Sequence, residues 1–332
     1  MNKTILTLTS IEICAGAGGQ ALGLEKAGFE HLALVEIDKP ACNTLKFNRP
    51  NWNVQNIDIH FFDGTPFKSL NIDLLAGGVP CPPFSDAGMK LGEHDERDLF
   101  PEALRLVTEI EPKAVMLENV RGLFNKKFDG YRESIELWLN EHGYETDWRL
   151  VNSSDFGVPQ LRPRTILIAM KPEYFKHFHW PHKKIKPKTV GQVLYEDMSS
   201  EGWLFADRWK ELANDIAPTL VGGSKKHGGA DLGPTRAKKQ WAELFVDGKG
   251  LANSPPVNGY EGMPRLTVGM AAKIQGFPPE WQITGKKTPA YRQVGNAFPP
   301  PVAESIGNKI KDAIINGQSE QRSKSKAERV FP

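Results

Sequence analysis

The chain has 332 residues, 39% of them apolar and 25% charged, and a formal net charge of only +2. That length supports about two domains with a large core and an ordinary soluble profile. The near-neutral balance excludes a globally basic nucleic-acid binder, so any anion-binding surface has to be local.

Up to about residue 170 short apolar runs alternate with helical stretches. Strands are predicted over 10–14, 31–36, 71–76, 113–118 and 164–170, and helices over 19–29, 39–48, 98–110 and 131–143. Strands separated by helices of this length predict parallel β-α-β units in a doubly wound α/β sheet. From about residue 175 the chain becomes rich in Pro, His and Lys, then loop-rich to about 264, which predicts a smaller, irregular second domain. Helical spacing returns over 267–277 and 301–315, a return to the first domain, and the polar tail 316–332 is expected to be mobile. The expected organisation is therefore 1–174, 175–264, 265–315 and the tail 316–332.

The first strand runs into "EICAGAGGQA" (12–21), where Gly16, Gly18 and Ala21 fit the G-x-G-x-x-G/A turn that lets a backbone approach a cofactor closely. Glu36, twenty residues after Gly16, stands at the end of the second strand, where an acid binds ribose hydroxyls. These residues point to an adenosine-containing cofactor. They do not separate NAD from S-adenosylmethionine, since both carry a ribose diol.

Three further stretches end or begin strands of the same sheet. "GGVPCPPFS" (77–85) places Cys81 in a rigid loop after a strand, Glu118 and Asn119 close another strand, and "QLRPR" (160–164) precedes a third. The carboxyl ends of parallel strands face one crevice, so Cys81 and Glu118 are expected to meet there. Arg162 and Arg164 reach it only if their strand runs antiparallel to its neighbours. The three cysteines, Cys14, Cys42 and Cys81, are too few for a disulfide scaffold and fit a reducing compartment.

A thiol, a buried acid and arginines beside a methyl-donor pocket suit one chemistry. Carbon 5 of cytosine becomes nucleophilic when a thiolate adds to carbon 6. A glutamic acid at ring nitrogen 3 stabilises the developing charge, and arginine holds the ring carbonyl and the carboxylate.

At this point the chain resembles the bacterial DNA (cytosine-5)-methyltransferase family over nearly its whole length. The blocks "AGAGG" (15–19), "PCPPFS" (80–85), "ENV" (118–120), "QLRPR" (160–164) and "RQVGNAFPP" (292–300) stand in the family's order. The resemblance implies a Rossmann-like, S-adenosylmethionine-dependent sheet with a smaller DNA-recognition domain, and no metal. It implies Cys81 as nucleophile, Glu118 and Arg164 as holders of the target cytosine, and Arg162 as their support. It also implies a cofactor site made by Cys14, Gly16, Ala17, Gly18, Gly19, Glu36, Ile37, Asp58, Ile59, Gly78, Pro80, Leu99 and Asn296. The family's Phe before the first Gly block is Cys14 here, which implies a reshaped adenine contact and a thiol used for packing. Pro82 replaces a common Gln and stiffens the nucleophile loop.

The target atom is inaccessible inside a duplex, so the base has to be turned out of the stack. Residues 175–264 are the expected grip on double-stranded DNA. Lys225, Lys226, Arg236, Lys238 and Lys239 face only Asp231 as an acid between 221 and 240, and Ser85 and Gln160 are further candidate DNA contacts. Trp203, Trp209 and Trp241 are expected in the small domain's core, and His177, His179 and His182 lack a partner at metal spacing. A cognate restriction endonuclease is the partner that the resemblance suggests. The chain is expected to be monomeric, cytoplasmic, nucleoid-associated and without a membrane span. An NAD-dependent dehydrogenase leaves Cys81 and Glu118 unexplained. The same fold would also serve an amino-group methyltransferase, an RNA methyltransferase or an inactive DNA-binding module.

Overall fold

The computed structural model describes residues 7–80, 98–182, 184–222 and 229–330, the last six of these by backbone alone. Cys81, Pro82, Ser85, Lys225 and Lys226 lie outside the described residues. The first half contains β1 (Leu8–Ile13), α1 (Gly19–Ala27), β2 (Phe29–Val35), α2 (Lys39–Asn48), β3 (Val54–Gln55) and β4 (Leu74–Gly77). It continues with α3 (Phe100–Ile110), β5 (Ala114–Val120), α4 (Asp129–Glu141), β6 (Glu145–Asn152) and β7 (Pro163–Met170).

These strands form one seven-stranded sheet in the order β3-β2-β1-β4-β5-β7-β6. The strands from β3 to β5 are parallel, and β7 is antiparallel to both β5 and β6. The antiparallel placement that the arginines required is therefore present. The strand order reverses between β1 and β4, and the crevice beyond the carboxyl ends at such a point is where open α/β sheets bind ligands. Alternation along β1 sends Ile11 and Ile13 into the core shared with α3 and α4, and Leu8 into the core shared with α1 on the opposite face. Sequence reading missed β6, an edge strand with little apolar alternation that is set by its pairing with β7.

The second half departs from expectation in two places. The region read as irregular contains α5 (Pro172–Phe175), α6 (Val190–Ser199), α7 (Ala206–Leu212) and α8 (Thr235–Glu243). A reciprocal capping box between Thr189 and Gln192 starts α6, while buried Trp209 on α7 and Trp241 on α8 supply apolar anchors in short, otherwise polar helices. After α9 (Val268–Ile274) and α10 (Lys287–Asn296), α11 runs unbroken from Pro300 to Val330, so the expected end of helix at 315 is corrected. The polar tail contains no proline before residue 332 and only one glycine, Gly317. That glycine lies against Tyr174, where a Cβ would approach its ring to 2.6 Å. Glu320 pairs with Lys176 at 2.6 Å and His177 at 3.1 Å.

One apolar cluster joins Ala17 and Leu45 of the sheet half to Trp209 and Trp241, so the core continues across 190–251 without a break. Among the described residues no helix is long and apolar enough to cross a membrane.

Candidate active site

The glycine loop is set by backbone geometry. Cys14 and Gly16 both have positive φ, 52° and 53°. Gly16 donates its N–H to Glu36 Oε2 at 2.7 Å, and Asp38 donates to Glu36 Oε1 at 2.7 Å. Glu36 thus ties the end of β2 to the turn after β1. Burial pushes its carboxyl up against the opposing pull of those two N–H groups.

Over this loop lies a cavity of about 590 Å³, within the range of small-molecule sites. Of the residues expected there, Cys14, Gly16, Gly19, Glu36, Ile37, Asp58, Ile59, Gly78, Pro80, Leu99 and Asn296 line it. Ala17 and Gly18 are not among its lining residues. Gly18, at φ 82°, is turned toward the core, where a Cβ would lie 2.5 Å from Leu45 and 2.9 Å from Trp281. The carbonyl of Ala17 accepts from Trp281 Nε1 at 3.1 Å. The motif glycine at 18 therefore serves packing, and the one at 16 borders the cavity. Burial and the neighbouring acids push the Cys14 thiol up, leaving it a neutral wall group.

The same cavity reaches Glu118, the fifth residue of β5. Register places Val120 opposite Arg164, so Arg164 and Glu118 are diagonal neighbours on one face of the sheet. Arg164 Nε meets Glu118 Oε1 at 2.7 Å, with both side chains about nine-tenths buried. Burial pushes Glu118 up although Arg164 and Arg162 pull it down. Gly78 leaves room for it, since a Cβ there would lie 3.2 Å from Glu118 Oε2. Asn119 donates to the carbonyl of Val79 at 2.8 Å, and Leu99 donates to that of Pro80 at 3.2 Å. These bonds fix the chain on either side of the 81–97 segment, one residue short of Cys81.

Arg162 is fully buried and donates to the carbonyls of Leu220, Gly295 and Ala297 at 2.8–3.0 Å. Standing just before β7, it ties the chain there to the second half and to the C-terminal end of α10, and it acts on Glu118 through charge without lining the cavity. Its place is that of a positioning residue. Gln160 is corrected outright as a DNA contact: it is wholly buried, accepts from the Leu220 N–H and donates to Gln275 Oε1, both at 2.8 Å. On α8, Arg236 and Lys239 are exposed, whereas Lys238 pairs with Asp231 at 2.8 Å.

The cavity also contains groups that sequence reading missed, including Glu12, Gln20, Arg292 and Phe298. Glu12 Oε2 and both amide atoms of Gln20 are buried without a hydrogen-bond partner among the described residues. Buried polar atoms of this kind are costly unless a ligand engages them. With apolar walls at Ile37, Ile59 and Leu99, they fit a molecule with an aromatic part and a charged part, as S-adenosylmethionine is.

A family model for C-5 cytosine-specific DNA methylases matches residues 8–312. The Type II methyltransferase M.NgoMIV of Neisseria gonorrhoeae is 52% identical over 93% of this chain and 99% of its own length. The Type II methyltransferase M.NaeI of Lentzea aerocolonigenes is also 52% identical, over 96% of this chain and 78% of its own. Among solved structures, a DNA modification methyltransferase encoded within an Escherichia coli prophage superposes with a TM-score of 0.66 at 25% identity, covering 92% of this chain and 99% of that one.

Proposed function

Since the chain belongs to the C-5 cytosine-specific DNA methylase family, we propose that Cys81, Glu118 and Arg164 carry out its reaction at the mouth of the glycine-loop cavity. The protein is a DNA (cytosine-5)-methyltransferase of an S-adenosylmethionine-dependent family. The observation that supports these residues is the continuity of one cavity from Gly16 and Glu36 to Glu118 and Pro80. A methyl donor and a carboxylate aimed at a pyrimidine are then within one enclosure, with Cys81 the next residue along the chain.

In this reading Glu36 holds the ribose hydroxyls, and Ile37 and Ile59 flank the adenine. The bound cofactor supplies a methyl group on a sulfonium, the electrophile for carbon 5. Cys81 adds as thiolate to carbon 6 of the flipped-out cytosine, and the electron pair of the 5,6 double bond moves to carbon 5. Glu118, raised by burial, remains available as an acid that donates to ring nitrogen 3, and Arg164 keeps its carboxyl in place. After methylation, carbon 5 loses its proton to water, the Cys81 thiolate departs as the double bond is restored, and the proton on ring nitrogen 3 returns to Glu118.

Residues 175–264 grip the duplex, with Arg236 and Lys239 on the phosphates. By its likeness to two type II methyltransferases, the protein is the modification partner of a restriction endonuclease. Duplex DNA carrying 5-fluorocytosine tests the chemistry, because fluorine on carbon 5 blocks the final elimination. With S-adenosylmethionine present, a denaturation-resistant complex should form and map to the peptide containing Cys81. Its absence, with bisulfite sequencing showing methylated cytosine in the protein's DNA, would mean a different nucleophile.

A further inference from the structure

Between Glu173 and Glu196 the chain carries no acid, yet it holds five lysines and three histidines. In a protein of net charge +2 this is a strong local excess, and it is separate from the cations of α8. Its first part is used within the fold. Lys176 and His177 pair with Glu320, and Trp180 lies under Arg149 and donates to Asp147 on β6. Lys184, Lys186 and Lys188 have no such task. Lys184 stands 3.3 Å from Asp155 with its side chain still 78% exposed, and Lys186 and Lys188 are exposed without an ion pair among the described residues.

Their backbone is nonetheless fixed. Ile185 donates its N–H to the carbonyl of Asp155 at 2.8 Å and bridges Phe156 in parallel. It lies so close to Gly157 that a Cβ there would come within 3.0 Å of Ile185 Cγ2. Pro187 keeps Lys186 extended, and Thr189 then caps α6. Alternation puts Lys184 and Lys186 on the side away from Ile185, about 6.6 Å apart, and Lys188 continues the line. A face that only solvates carries both signs, as α7 does where Arg208 meets Glu211 at 2.8 Å. Three like charges on a fixed, extended stretch repel one another and suit an anion with regularly repeated charges. An anionic membrane surface would also call for a row of exposed apolar side chains, and Ile185 is the only large one in this stretch.

The place of the stretch narrows the choice further. β7 is antiparallel to both β5 and β6, so β5 and β6 end on the same side of the sheet, the side of the crevice. Phe156, beside Ile185, lies four residues past the end of β6. Strands β5 and β6 are two spacings apart in the sheet, about 10 Å. The lysines therefore stand on the crevice side, displaced from Glu118 by on the order of three base-pair rises.

We propose that Lys184, Lys186 and Lys188 form a track for the phosphate backbone of duplex DNA flanking the recognised sequence, apart from the contacts of α8. The assignment rests on the reading of residues 175–264 as the grip on the duplex. Contacts of this kind carry no sequence information, so the track adds affinity for any long duplex and helps deliver it to the crevice.

The test uses two duplexes carrying the sequence found by bisulfite sequencing, a short one ending about two base pairs outside it and a long one extending about ten. Affinity is measured against salt for the unaltered chain and for the triple variant Lys184→Ala, Lys186→Ala, Lys188→Ala. On the long duplex the slope of log K against log salt should become shallower by about 3, one counterion per cation, and an arginine triple variant should restore it. A long duplex without the recognised sequence should show the same loss. On the short duplex the two slopes should agree, and kcat at saturating short duplex should be unaltered. Unchanged slopes on the long duplex, or the same loss on both lengths, overturn the track. Lys186→Ala alone, expected to flatten the long-duplex slope by about 1, decides if the triple variant does not fold. If the unaltered chain binds neither duplex in a salt-dependent way, the grip itself is misassigned and the track falls with it.

Discussion

The edge of the sheet that builds the cavity and the region from 175 to 264 are held by different means. At the sheet edge, position comes from strand register and buried polar bonds. Glu118 and Arg164 are diagonal neighbours because Val120 pairs with Arg164, and Glu36 is fixed by two backbone N–H groups. In the second region, position comes from apolar anchors and caps: Trp209 and Trp241 fill the core, and Thr189 caps α6. Its basic side chains Arg236 and Lys239 remain in solvent. Bond making needs charged groups held to a fraction of an ångström in a dry site. Contact with a phosphate backbone works through exposed, screened charges on a scaffold that need only be stable.

The largest effect should follow from the sheet edge. Glu118→Gln should lower kcat by about 10²–10⁴-fold, the range for a general acid, with circular dichroism unchanged. An unaltered kcat would move the acid elsewhere. Trp209→Ala should cost about 3–5 kcal/mol in denaturant unfolding, since the indole is fully buried and donates to the carbonyl of Phe245 at 3.0 Å. At low temperature the folded variant should still bind S-adenosylhomocysteine. Loss of that binding would show that the shared core makes the two regions inseparable.

A smaller effect should come from Arg236→Ala combined with Lys239→Ala. The slope of log K for duplex DNA against log salt should become shallower by about 2, the release of roughly one counterion per cation. The Kd for S-adenosylhomocysteine should not move. The smallest effect concerns His31, buried between Ser10 Oγ at 2.8 Å and the Ala21 carbonyl at 2.9 Å. Burial pushes its imidazole below the ordinary 6.5, so the folded chain favours the neutral ring. The stability it contributes is present above about pH 6.5 and is lost as pH falls through the lower folded value. The melting temperature of the unaltered chain should drop on acidification more than that of His31→Gln. Equal drops would remove His31 as the cause.

Much of this was legible beforehand. The run at 39–48 is α2 to the residue, because its apolar spacing and Pro40 near the start are local signals. Arg164 was expected to reach the crevice of Glu118 only on an antiparallel strand, and β7 is that strand. Gln160 could not be read correctly: a polar residue in a motif looks like a contact until the Leu220 N–H and Gln275 are seen to enclose it. Gln20 was invisible for the converse reason, since nothing in a helical run marks which polar side chain will face a cavity.

The amino-acid sequence by itself determined the alternation of β1, β2, β4, β5 and β7 with the helices of the first half, though not β3 or β6, and the set of chemical groups at the strand ends. Periodicity and turn residues act over a few neighbours, and order along the chain is enough to specify them. Only the tertiary structure decided which glycine borders the cavity and which packs against Trp281, that Arg162 is a buried strut, and that the polar tail stays helical. Those outcomes depend on what approaches from far along the chain, and burial and pairing there outweigh local preference.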